Sequence, residues 1–273
     1  MFGIPYSADV YYPHDLYNEY KNLSVQCDAN FVTVSVNNYR NLKDGLVNAV
    51  SVKDGLLGLT GGSIASACGG NVPYMNVFSG KGSPGCITTV LEFVYSYRQK
   101  FIKTFTGDTV QDPKFPNDKK KRVESGKGEW ARMLAKHATS SPQALLQTFA
   151  DKYVGLDCNG FVGNFVNVVN SKMADANTYI GEYYKKAITK RQTLDEIDIM
   201  DIVIWGEKHI AVVDGYQWVN NSWRFSVAQS TGGGPQIHMH TLLQKGKGVF
   251  NFQIVHPKQV PGDVKVLSLG LYQ

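Results

Sequence analysis

Apolar and polar residues alternate over Asn30–Val36 (NFVTVSV), and this period of two predicts a strand. Further strands are expected at Ile199–Trp205, His209–Tyr216, Trp223–Gln229 and Val249–Val255, the last with Phe250, Phe252 and Ile254 on one face. Helical spacing appears instead over Cys86–Thr106, where Leu91, Val94, Tyr95 and Arg98 share a side. A second helix opens at Ser141-Pro142, a capping hydroxyl followed by proline at the first turn, and carries Leu145, Leu146 and Phe149. A third starts at Cys158, with Asp157 as its cap and Phe161, Val162, Phe165, Val168 and Val169 as its apolar stripe. Residues 172–196 are mixed and read as loop plus helix. Residues 55–86 are rich in Gly, Ser and Ala and read as loops or close backbone packing. The charged, proline-bearing stretch from Asp108 to Gly128 reads as a linker or long loop. It divides the chain into an N-terminal region of unassigned role, 1–128, and a C-terminal domain, 129–273. In that domain helices precede strands, the order of an α+β fold.

A chain of 273 residues with 43% hydrophobic content can bury a core without help from metals or disulfides. Its apolar runs are too short to span a bilayer, so no membrane span is expected. The opening decapeptide, Met1–Val10, lacks the layout of a signal peptide, which points to synthesis in the cytoplasm. The net charge of +5 suits an anionic partner. The basic run Lys119–Arg122 has no interleaved aromatics, which argues against nucleic acid. The cysteines are Cys27, Cys68, Cys86 and Cys158, with no CxxC pair; Cys68 and Cys86 could pair in an oxidising compartment, which sequence alone does not establish. His238-Met-His240 has no matching acidic or cysteine cluster, so neither a metal nor another cofactor is expected.

Cys158 carries the candidate chemistry. At a helix start the unpaired amides and the helix dipole favour negative charge, and a thiolate is a better nucleophile than a thiol. Gly160 lets a substrate or a neighbouring backbone approach closely. A thiol nucleophile needs a base, and His209, at the start of an apolar strand, titrates near neutral pH. Asp214, followed by Gly215, reads as a turn residue.

Asp157-Cys-Asn-Gly-Phe-Val162, Asp201-Ile-Val-Ile-Trp205 and His209-Ile-Ala-Val-Val213, in that order, resemble the NlpC-type and CHAP superfamily of papain-like cell-wall hydrolases. Over about residues 130–255 the resemblance implies N-terminal helices packed on an antiparallel sheet, with Cys158 as nucleophile and His209 as base. Asn159 stands where the NlpC-type motif has Ser, and Met200 where it has Gly, as in a divergent member. By the same resemblance Tyr153 would help stabilise the oxyanion. Phe225-Ser-Val-Ala-Gln229 resembles the CHAP strand that supplies the third residue, which makes Gln229 the first choice; His238 and His240, which share one face of a possible strand, stand behind it. The register tests that choice. A two-residue turn at Asn220-Asn221 would point Gln229 away from His209, and a bulge would bring it back.

The resemblance implies a cysteine amidase or endopeptidase acting on peptidoglycan or its peptide fragments at the cell wall or periplasm. The enzyme would be a toxin or effector, with a secretion-system component or a cognate inhibitor as partner, or a phage lysis enzyme. A deamidase or acyltransferase acting on protein, and an inactive binding protein, are the competing expectations.

Overall fold

The computed structural model of the protein describes residues 10–39, 46–206, 208–253 and 263–271. The chain divides into two compact units, one made of the residues up to Lys21 together with those from Leu156 onward, the other of Asn22–Gly155. The first unit begins with α1, Pro13–Lys21. The second unit then runs through the hairpin β1 (Leu23–Cys27) and β2 (Asn30–Val34), five helices α2 (Leu46–Leu59), α3 (Ser63–Ala67), α4 (Asn71–Phe78), α5 (Pro84–Ser96) and α6 (Arg98–Phe105), the short hairpin β3 (Thr109–Gln111) and β4 (Arg122–Glu124), and helices α7 (Gly126–Lys136) and α8 (Pro142–Tyr153). The chain re-enters the first unit with α9 (Cys158–Val169), α10 (Ile180–Lys186), β5 (Thr189–Lys190), β6 (Ile202–Trp205), β7 (His209–Val219), β8 (Ser222–Thr231), β9 (Gly234–Gly246), β10 (Val249–Gln253) and β11 (Val264–Ser268).

These units differ from the expected division. The boundary expected at 128–129 falls inside α7, and the supposed linker forms the β3–β4 hairpin. The Gly-rich stretch is mostly helical: α3 and α4 bury Ile64, Ala65, Tyr74, Val77 and Phe78, while Gly61, Gly62, Gly69 and Gly70, all at positive φ, occupy the connections. Burial of these apolar faces outweighs weak helix propensity, and the glycines supply the reversals. The run expected as one helix from Cys86 breaks at Tyr97 into α5 and α6.

The first unit is not the papain-like core of helices on an open sheet that the motifs implied. Six antiparallel strands, β6 to β11, close into a barrel, with β5 as an extra strand on β11. Closure comes from the pairing of β10 with β11 at Phe250↔Val264. Val203, Trp205, Ala211, Val213, Phe225, Val227, Leu242, Phe250, Val264 and Val266 pack together inside it. In a small barrel inward side chains fill the lumen, so this is a core and not a channel. Helices α1 and α9 cover the outside of β7 and β8, where Ile210, Val212 and Ala228 are buried in turn. Both faces of these strands are therefore apolar, which explains their near-continuous hydrophobic runs. Among the described residues no helix is long and apolar enough to cross a membrane. The expected strand to Val255 is formed as far as Gln253; Ile254 and Val255, like Met1–Asp9, lie outside the described residues.

Candidate functional site

Cys158 is the first residue of α9 and is 5% exposed. Asp157 caps the helix, its carboxylate accepting the amide N–H of Gly160. That bond uses the Gly160 amide, so the backbone donors nearest a group bound at the thiol are those of the first two helical positions. Gly163 lets the following turn lie directly on the helix: a β-carbon there would sit 2.1 Å from the Asp175 carbonyl oxygen. Asn164 donates to the Gly160 carbonyl at 2.8 Å and to the Tyr20 hydroxyl at 3.0 Å, tying α9 to α1. Tyr183, on α10, is fully buried; desolvation raises its phenol well above the usual range, and negative charge on Asp175, Cys158 or Asp157 would raise it further.

His209 starts β7 opposite Trp205 of β6, with its ring 5.0 Å from the indole. Its Nε2 lies 2.8 Å from the Gln229 Oε1. The Gln229 amide nitrogen in turn lies 3.3 Å from the His238 Nδ1. One arrangement satisfies both contacts: His209 donates from Nε2 to the amide oxygen, and the amide NH₂ donates to His238. The His209 Nδ1 then carries the lone pair that can take a proton. Burial lowers the His209 pKa from its ordinary value, and the bond to Gln229 opposes part of that shift. The ring is thus neutral at physiological pH.

The register explains how these residues meet. Asn220 and Asn221 have φ of 52° and 58°, the two-residue turn that Asn favours. Below the turn, pairing runs Val219↔Ser222 to Gly215↔Ser226, then shifts to Val213↔Val227. The residue left over is Asp214, so it is bulged within β7 and is not at a turn. This bulge turns Gln229 to the face of His209. Both point to the inward side, in line with Ala211 and Val227, at the barrel rim. Asp214 accepts from the His14 amide at 2.8 Å and lies 2.8 Å from its Nδ1, anchoring the start of α1.

The thiol-bearing helix lies on the other, outer face of the same two strands. α9 packs on β7 and β8, the strands that carry His209 and Gln229. Ser230, next to Gln229 and facing outward, donates its hydroxyl to the Leu156 carbonyl just before Cys158. No sequence signal marked Ser230 for this part, whereas His238 stood out only by sharing a face with His240. His240 is fully buried opposite Phe225. Asn159 has a buried side-chain oxygen with no hydrogen-bond partner among the described residues. Tyr153 closes α8 in the other unit, where its ring packs 5.5 Å from Trp130 and 5.2 Å from Phe149; packing accounts for this aromatic. Met200 has a φ of 66°, the left-handed region that favours the Gly of the motif it departs from. Its neighbour Asp201 is buried and paired through two bonds with Arg191, at 2.7 and 3.0 Å. No family model, curated protein or solved structure matches the chain.

Proposed function

We propose that the barrel unit is a cysteine hydrolase of amide bonds, with Cys158 as nucleophile, His209 as base and Gln229 as the residue that orients the base. The observation that carries this reading is the partly buried bond from His209 Nε2 to Gln229 Oε1. It fixes the tautomer in which Nδ1 is the acceptor, as a base partnered with a thiol requires. The reading rests on this side-chain arrangement and not on a papain-like fold.

The His209 ring, neutral at rest, takes the Cys158 proton as the sulfur attacks the amide carbon. Amides at the start of α9 stabilise the resulting oxyanion. Expulsion of the amine, protonated by His209, leaves a thioester. Water then gives a proton to His209 and attacks the thioester, releasing the acid and restoring the thiol. Peptidoglycan stem peptides, or the amide joining them to the sugar, are the substrate class favoured by the short motifs and by the +5 charge.

The test is incubation of the purified protein with peptidoglycan sacculi and mass analysis of the soluble fragments. Release by the native protein and none by Cys158→Ala supports the reading. Equal release by both removes Cys158 as nucleophile. Intact sacculi removes the wall as substrate.

A further inference from the structure

In the helical unit, Cys68 ends α3 as its C-cap and is partly exposed, while Cys86 is the third residue of α5 and is 6% exposed. Between them Gly69 and Gly70, at φ of 87° and 133°, reverse the chain into α4. This reversal brings the two cysteines together. The Cys68 Sγ is 3.7 Å from the Cys86 carbonyl oxygen, which sets it against the backbone of the second cysteine, and the Cys86 Sγ is 3.3 Å from the Pro73 carbonyl oxygen. The backbone at both ends is already ordered: the Cys68 amide bonds to Ile64 and the Cys86 amide to the Ser83 hydroxyl at 3.3 Å.

We propose that Cys68 and Cys86 form a reversible disulfide, with Cys68 as the attacking thiol and Cys86 as the resolving one. The oxidant is a low-molecular-weight or protein disulfide. The exposed Cys68, as thiolate, attacks one sulfur of that disulfide, forming a mixed disulfide and releasing the other half as a thiol. The Cys86 thiol then loses its proton to solvent and attacks the Cys68 sulfur, forming the internal bond and expelling the second half, which takes up a proton. Two protein thiols are oxidised and one external disulfide is reduced to two thiols. The assignment of roles follows from exposure, and the closeness of the two groups acts in the same direction, lowering the Cys68 pKa and raising that of Cys86. Closure would tie the end of α3 to the start of α5 around residues 69–85, which include α4. This site belongs to the helical unit and does not depend on the hydrolase reading.

The experiment equilibrates the full chain in glutathione buffers of increasing oxidation, quenches with N-ethylmaleimide and maps peptides by mass. A cross-linked Cys68–Cys86 pair is expected, with loss of two hydrogens from the intact mass and reversal by dithiothreitol. The melting temperature should rise by roughly 3–10 °C, as expected for closing a loop of this length. Cys86→Ser should instead accumulate one glutathione on Cys68, and Cys68→Ser should leave Cys86 unmodified. Both thiols remaining alkylated in oxidised glutathione would overturn the proposal, as would an adduct on Cys86 in Cys68→Ser.

Discussion

Gln229 is fully buried and touches the His209 Nε2, so in the proposed mechanism, where Nδ1 is the base, its effect on chemistry runs through the imidazole. Gln229→Ala should lower kcat by roughly tenfold or more while leaving KM nearly unchanged, because orientation and tautomer are lost and binding is not. The pH profile separates this from a folding defect. Burial favours the neutral ring, so the acid limb of kcat/KM should lie below the ordinary histidine value. Gln229→Glu places a carboxylate beside the ring, favours the imidazolium, and should move that limb to higher pH. The choice of Gln229 was legible only through a resemblance of strands; turn parity alone spoke against it. The bulge at Asp214 reverses that parity, and a lone Asp-Gly reads equally well as a turn. Met200 is the opposite case, since a residue out of place in the motif marked a backbone position that Gly would hold without strain.

At the scale of elements, α9 is the part most fully encoded locally. Asp157, Gly160, Phe161, Val162 and Phe165 fix its start and its buried face within a few residues, and the helix begins where expected, although Val168, expected on the same stripe, is exposed. What local pattern does not encode is the turn lying across it. At Gly163 an added methyl meets the Asp175 carbonyl at 2.1 Å. Alanine gains about 1 kcal/mol over glycine in a helix interior, but forcing backbone apart costs about 1–3 kcal/mol or more. Gly163→Ala should therefore lower stability, seen as a reduced urea midpoint, and should slow hydrolysis by displacing α9. An unchanged midpoint would mean that this turn can move freely. The helices α2 to α4 were hidden for a related reason: their glycines and alanines signal loops, and only the burial of Tyr74, Val77 and Phe78 shows otherwise.

Barrel closure is a property of the whole first unit, and it was the least legible feature. Five of its six strands announce themselves by composition or by a shared histidine face, but no periodicity says which edges meet. The sixth, Val264–Ser268, is a short VKVLS run, and it joins β10 at Phe250↔Val264. Phe250 is fully buried among the inward side chains at that seam. Phe250→Ala should cost about 3–5 kcal/mol, measured by urea unfolding at an unchanged slope. A markedly smaller loss would mean that the seam contributes little.

The account as a whole depends on one thiol and one imidazole, carried by different elements, acting as a unit at the barrel rim. The most direct test is the rate of Cys158 alkylation by iodoacetamide at pH 7 in the native protein and in His209→Ala, followed by peptide mass analysis. The account predicts a fall of roughly tenfold or more when the imidazole is removed, because the thiol then has no base to take its proton. Equal rates in the two proteins would contradict it.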